Sequence, residues 1–307
     1  MFLLLFPVAV SHIIMAQLLD LVGNTPQVEI RNIFKKPGVQ IFAKLEGHNP
    51  GGSVKDRAAY SMIKGALDRG ELKPGMKLIE ATSGNTGIAL AMIANLFGVQ
   101  IELVMPDNAT RERVLTMEAF GAKVTLTPKE KSMEGAIDYA HAQVAKGGFF
   151  MLNQFANPDN YLAHYRGTGP EIWKDTEGKI THFVSSMGTT GTIMGTSMFL
   201  KEKNPAVQIV GVQPTDGSQI PGIRRWPKEY LPKIFDPSRV DQVIDISQAE
   251  ATAMTRRLAK EEGIFGGMSS GGAVAAAIKL AEKIDKGIIV CIICDKGDRY
   301  LSSDLFG

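Results

Sequence analysis

The chain lacks any excess of charge: over 307 residues, 34 Lys and Arg stand against 32 Asp and Glu, a formal net charge of +2. No field of one sign is strong enough to make nucleic acid or an anionic membrane the main partner, so a small-molecule role is the better expectation. Cysteine is nearly absent, with only Cys291 and Cys294. Their C-x-x-C spacing invites a redox or zinc role. They lie, however, in the apolar run Gly287-Ile288-Ile289-Val290-Cys291-Ile292-Ile293-Cys294, which reads as a buried parallel strand whose residues three apart face opposite sides. That geometry argues against both roles and leaves small buried residues in a reducing, cytoplasmic setting, with no metal expected. Long hydrophobic runs are missing too. Residues 1–10 (MFLLLFPVAV) are the most apolar stretch, yet a bilayer span takes about 20 residues, and the basic start and small-residue cleavage site of a secretory signal are absent. A new segment begins after Met15, so a start site assigned too far upstream accounts for residues 1–14 as well as a true extension does. No low-complexity segment and no residue-level repeat is visible.

What is present is an ordinary globular composition, 44% hydrophobic and 21% charged, at a length that suits two compact units. From Gln40 onward, strands and helices alternate with short connections. Strands are expected over 40–46, 77–81, 100–105, 123–126, 182–186, 207–212 and 287–294. Helices are expected from Lys55 to Gly70, over 88–97, 111–120, 133–146, 192–201 and 248–262, and from the 266–272 loop to about 284. This rhythm predicts an α/β fold of two open, mostly parallel sheets with helices on both faces. The polar, turn-prone stretch 153–160 and the proline-rich piece 214–237 interrupt it.

One stretch stands out, Asn49-Pro50-Gly51-Gly52-Ser53-Val54-Lys55-Asp56-Arg57. Loop-forming residues run into a helix that opens on a lysine, with Ser53 and Asp56 at capping-box spacing. Helix N-termini carry positive partial charge, so a neutral amine or imine is favoured there over an ammonium, and Lys55 reads as a nucleophile. Three further Gly/Ser/Thr-rich loops follow strands and open helices, the positions at which open sheets bind ligands. Thr82-Ser83-Gly84-Asn85-Thr86-Gly87 suits a carboxylate or phosphate, or is only a capped turn. Gly188-Thr189-Thr190-Gly191-Thr192 lacks both the P-loop ending and the G-x-G-x-x-G spacing, and so reads as a cradle for a single phosphate. Gly266 to Gly272 either closes on a ligand or only allows close helix packing. An imine-forming lysine, a lone-phosphate cradle and a hydroxyl-rich loop together describe pyridoxal phosphate better than any other cofactor.

In this order, residues 49–57, 82–87, 188–192 and 267–271 resemble the motif set of the cysteine synthase (O-acetylserine sulfhydrylase) family, and the resemblance runs from about Leu18 to Gly307. Ile220 to Pro227 and Ile292 to Leu301 are more similar to the B isozyme of that family than to the A isozyme. The resemblance implies fold type II, the tryptophan synthase β-like arrangement, with the cofactor in a cleft between two units. After an N-terminal segment (1–26), these would be a smaller mobile substrate-binding domain (48–157) and a larger cofactor-binding domain (27–47 with 158–307). It implies that Lys55 forms the internal aldimine, Asn85 bonds the cofactor's phenolic oxygen, Gly188, Thr189, Thr190, Gly191 and Thr192 hold its phosphate, and Ser269 faces the pyridine nitrogen. Thr82, Ser83, Thr86 and Gln154 would bind the amino-acid carboxylate. The implied reaction converts O-acetyl-L-serine and sulfide, through a bound α-aminoacrylate, to L-cysteine and acetate, with Lys55 as general base. Thiosulfate would give S-sulfocysteine, with Arg224 and Arg225 attracting the anion unless they are plain surface charge. A neutral serine at the ring nitrogen is expected to favour elimination over transamination, an expectation that an unchanged product ratio in Ser269→Asp would overturn.

Asp298 and Arg299 are expected to be structural or domain-closing. Gln27 departs from the apolar residue expected after Thr25-Pro26. A homodimer is implied, while the B-like stretches count against binding of serine acetyltransferase. Rival readings are cystathionine β-synthase, a serine/threonine dehydratase, and a catalytically silent scaffold. No appended domain after Gly307 and no haem-binding segment is expected, and intact Lys55, Asn85 and Ser269 count against the scaffold.

Overall fold

The computed structural model describes residues 17–307 except Ser83; the expectations for residues 1–14 and for Ser83 lie outside the described residues. In chain order the elements are β1 (Gln27–Glu29), β2 (Val39–Leu45), α1 (Lys55–Asp68), β3 (Lys77–Ala81), α2 (Asn85–Leu96), β4 (Ile101–Pro106), α3 (Arg111–Ala119), β5 (Lys123–Thr127), α4 (Ser132–Ala145) and β6 (Phe149–Phe150). There follow α5 (Pro158–Ala163), α6 (Gly169–Asp175), β7 (His182–Ser186), α7 (Gly191–Lys203), β8 (Gln208–Pro214), β9 (Gln242–Ile246), α8 (Gln248–Arg257), α9 (Met268–Ala281) and β10 (Gly287–Ile293).

The strands form two sheets, one of six in the order β1-β2-β10-β7-β8-β9 and one of four in the order β5-β4-β3-β6. All pairings are parallel except β1 with β2. Strands covered on both faces must be apolar throughout. Accordingly β4 is buried along its whole length and β10 at every position but Ile288. Each sheet has a point where the winding reverses. In the small sheet the chain moves from β3 outward to β5 and then returns to place β6 on the other side of β3; in the large sheet β10 inserts between β2 and β7. Loops leaving the carboxyl ends of strands diverge at such points and open a crevice. Those loops begin at Thr82 after β3 and span 151–157 after β6, 187–190 after β7, 294–296 after β10 and 46–54 after β2.

Several elements differ from the sequence reading. The polar stretch 153–160 leads directly into α5, because Asn157 accepts a hydrogen bond from the Asp159 N–H at 2.9 Å and Pro158 occupies the first turn. A π-helical turn (164–168) then joins α5 to α6, and another (258–262) ends the helix expected over 248–262. Strands β6 and β9 carry too little apolar pattern to be read: β6 has two residues, and β9 is exposed at Gln242, Val243 and Asp245. Most of the expected 266–272 loop is the first turn and a half of α9, because its small residues pack closely against α8. The Ser53/Asp56 capping box does not form. Asp56 instead reaches back to accept the Gly51 N–H at 2.5 Å, and Val54 begins the helix without a side-chain cap.

Candidate active site

Lys55 is the first residue of α1 and half-buried. Burial lowers its pKa, with Cys294 and Asp295 pulling the other way, so a neutral amine is accessible. Desolvation thus acts in the same direction as the helix-terminus effect that the sequence suggests. The loop before it is fixed by its own backbone: the Val54 N–H donates to the Cys294 carbonyl at 2.8 Å, and Gly52 turns the chain at φ 83°. Burial also pushes the neighbouring Asp56 carboxyl up to about 7, against the Gly51 N–H.

The loop after β3 enters α2 at Asn85. Thr82 and Thr86 are buried, and the Thr86 hydroxyl donates to Gln154 Oε1 at 2.9 Å. The Asn85 amide is oriented by two partners. Its Nδ2 donates to Asp295 Oδ2 at 2.7 Å, while its Oδ1 accepts from Arg299, which also bonds the Gly51 carbonyl. Burial raises the Asp295 carboxyl, even though Tyr300 donates to it at 2.6 Å. Arg299 thereby bridges the loops on either side of the lysine.

The 188–192 segment runs from β7 into α7, with Thr190 left-handed at φ 71°. A side chain at Gly188 would meet the Gly222 carbonyl at 2.5 Å, and one at Gly191 would run into Asn160. Glycine at these two positions thus lets the segment pack closely against the Gly222 backbone and Asn160. Thr190 Oγ1 is buried with no hydrogen-bond partner among the described residues, and such an atom at a helix N-terminus fits a phosphate oxygen. Thr192 Oγ1 lies 3.3 Å from His164 Nε2, whose Nδ1 lies 2.9 Å from Thr168 Oγ1. Burial, with Arg57 and Lys55 nearby, holds His164 well below its usual pKa, so it is neutral.

Ser269 is 3% exposed in the first turn of α9, and its carbonyl accepts from Ser186 Oγ at 2.9 Å. Cys294 follows β10 with its N–H on Ser270 Oγ at 2.9 Å, and burial pushes its thiol up to about 12. Cys291 is fully buried, and both cysteines are free. No metal-binding cluster of His, Cys, Asp or Glu occurs among the described residues. Arg224 and Arg225 diverge. Arg225 is engaged with Asp245 at 2.7 Å, with Asp216 at 3.2 Å and with the Pro214 carbonyl. Arg224 stacks 5.3 Å over Trp226, whose Nε1 donates to the Gly188 carbonyl at 2.7 Å. Trp226 meets Phe155, the residue after Gln154, edge to face.

Sequence reasoning missed a buried ion network behind the lysine. Arg57 donates to both oxygens of Glu46 at 2.6 and 2.8 Å and to both of Glu171 at 2.7 Å. Lys44, 1% exposed, lies 3.0 Å from Glu171 and from Asp175. Its signal was a charged residue in an otherwise apolar strand. Glu80, 4% exposed beside Gln154, was missed in the same way.

A family model described as pyridoxal-phosphate dependent enzyme matches residues 18–295. Cysteine synthase B of Pseudomonas aeruginosa is 60% identical over 287 residues, covering 94% of this chain and 96% of the relative. Cysteine synthase B of Escherichia coli is 57% identical over 293 residues, covering 95% and 97%. A crystal structure of cysteine synthase from Entamoeba histolytica superposes with a TM-score of 0.91 at 38% identity, covering 100% of this chain and 94% of that one. Matched over nearly its whole length by this family model and by these relatives, the chain belongs to the pyridoxal-phosphate dependent enzyme family.

Proposed function

We propose that the protein is a cysteine synthase that replaces the acetoxy group of O-acetyl-L-serine with sulfide, yielding L-cysteine and acetate. The observation that carries this reading is the convergence of Lys55, the 82–87 loop with Gln154, and the 188–192 loop at the crevices where both sheets reverse their winding. The cysteine synthase relatives support the choice of substrates.

Gly188 to Thr192 would hold the cofactor phosphate, with Thr190 Oγ1 as the free donor, and Asn85 and Ser269 would flank the ring. When bound, pyridoxal phosphate supplies an electron sink that makes the substrate's α-proton acidic and its β-substituent a leaving group. Thr82, Thr86 and Gln154, with Ser83, would hold the substrate carboxylate. Lys55 Nζ, whose neutral form burial favours, would take the α-proton and return it after sulfur has added. Cys294 is too poor an acid to compete as a thiolate.

Thiosulfate as an alternative donor, giving S-sulfocysteine, is supported by Arg224, whose charge has no ion-pair partner among the described residues and lies by Trp226 against the phosphate loop. The resemblance also supports a homodimer in the cytoplasm, which light scattering and cell fractionation would test. For the reaction itself, purified protein should be yellow, lose its visible band with O-acetylserine and regain it with sulfide as cysteine and acetate form in equal amounts. A colourless protein that takes up no pyridoxal phosphate would contradict the proposal.

A further inference from the structure

Glu80 is a carboxylate 4% exposed at the carboxyl end of β3, two residues before Thr82 and on the same face of the strand. Burying a charge is costly unless it is hydrogen-bonded. Its partners are backbone: the Asn153 N–H at 3.1 Å, the Gln154 N–H at 3.4 Å and that of Leu152. Asn153 is left-handed at φ 55°. A left-handed residue within such a run turns successive N–H groups toward one point, an anion-binding concavity. Here the protein fills that concavity with its own carboxylate.

The consequence falls on Gln154, which is held on three sides. Its N–H is taken by Glu80, its carbonyl accepts from Asn160 Nδ2 at 2.7 Å, and its Oε1 accepts from Thr86. Asn160 Nδ2 also lies 3.3 Å from Thr189 Oγ1 in the phosphate loop. With Oε1 committed to Thr86, the Nε2 donor of Gln154 is directed elsewhere. One rigid strand therefore carries the 82–87 loop and, through Glu80, pins the facing segment of the site.

We propose that Glu80 is a positioning residue for recognition of the substrate's carboxylate, gathering the N–H groups of residues 152–154 so that Gln154 stays in register with Thr86. The proposal rests on the reading that Thr86 and Gln154 bind that carboxylate. In Glu80→Gln one carboxylate oxygen becomes an NH2 group facing a backbone N–H, donor against donor, and the segment is released.

The test uses steady-state kinetics of the holoenzyme with O-acetylserine and sulfide, at a pH above 7. Glu80→Gln should raise the KM for O-acetylserine about tenfold, with kcat, the KM for sulfide and the pyridoxal phosphate content little changed. Gln154→Ala should raise the same KM. The double variant should be no worse than the larger single effect, because the two act as a unit. Asn153→Ala, at an exposed position, strains the left-handed turn without disturbing a buried charge and should raise the same KM severalfold; it provides the test should Glu80→Gln fail to fold. A tenfold effect of Gln154→Ala with none from Glu80→Gln or Asn153→Ala, or fully additive effects, overturns the proposal alone. No effect of Gln154→Ala overturns the carboxylate reading, and the proposal with it.

Discussion

Arg57→Met would remove the cation at the centre of the network behind Lys55. Arg57 is 4% exposed, and its guanidinium satisfies Glu46, itself 0% exposed, and Glu171. Without it, Lys44 is the one cation left among the described residues against Glu46, Glu171 and Asp175, and it pairs with Glu171 and Asp175 but not Glu46. Removing one partner of a buried pair costs about 3–5 kcal/mol, because the other charge stays buried without compensation. At a urea dependence of about 3 kcal/mol/M, the unfolding midpoint should fall by roughly 1–2 M. Circular dichroism in a urea titration measures it. The double variant Arg57→Met/Glu46→Met removes the stranded charge and should recover part of the loss. A midpoint within about 0.2 M of the parent's would refute the reasoning, as would a double variant worse than the single one.

Thr190→Ala removes the buried hydroxyl left without a partner among the described residues; the dissociation constant for pyridoxal phosphate should rise about tenfold, measured by equilibrium dialysis. Arg224→Ala should raise the KM for thiosulfate severalfold and leave that for sulfide unchanged. Arg225→Ala, whose charge is spent on Asp245 and Asp216, should alter neither and cost under about 1 kcal/mol; equal effects of the two would contradict the assignment. Burial would raise the Glu171 carboxyl, but Arg57 holds it down to about 2 from 4.5. The folded state then binds fewer protons in that window, so this contribution to stability is fully present above pH ~4.5 and lost as pH falls toward ~2. Acid titration of unfolding should show the loss, with a smaller one in Glu171→Gln.

Elements with strong period and punctuation were legible: β3, β4, β7 and β10 lie within a residue of where apolar runs placed them, and the α/β class followed from their alternation. The 158–175 region was not, because Asn157 and Pro158 read as turn residues until the chain's return makes them a helix start. The site loops were legible because glycine and hydroxyl residues between a strand and a helix have few other uses. Glu46, Glu80, His164 and Glu171 were not, since their roles come from partners 11 to 114 positions away. A buried charge on a helix looks in sequence like any surface charge, and only the apolar strand neighbours of Lys44 and Glu80 set those two apart. The two arginines looked equivalent side by side, and only the fold gives one of them to Asp245.

The most direct test of the account is chemical trapping at Lys55. Borohydride reduction of the holoenzyme followed by peptide mass mapping should find the pyridoxyl group on the peptide containing Lys55, and Lys55→Ala should carry none while still binding the phosphate. A label on another lysine, or none on the native protein, would contradict it.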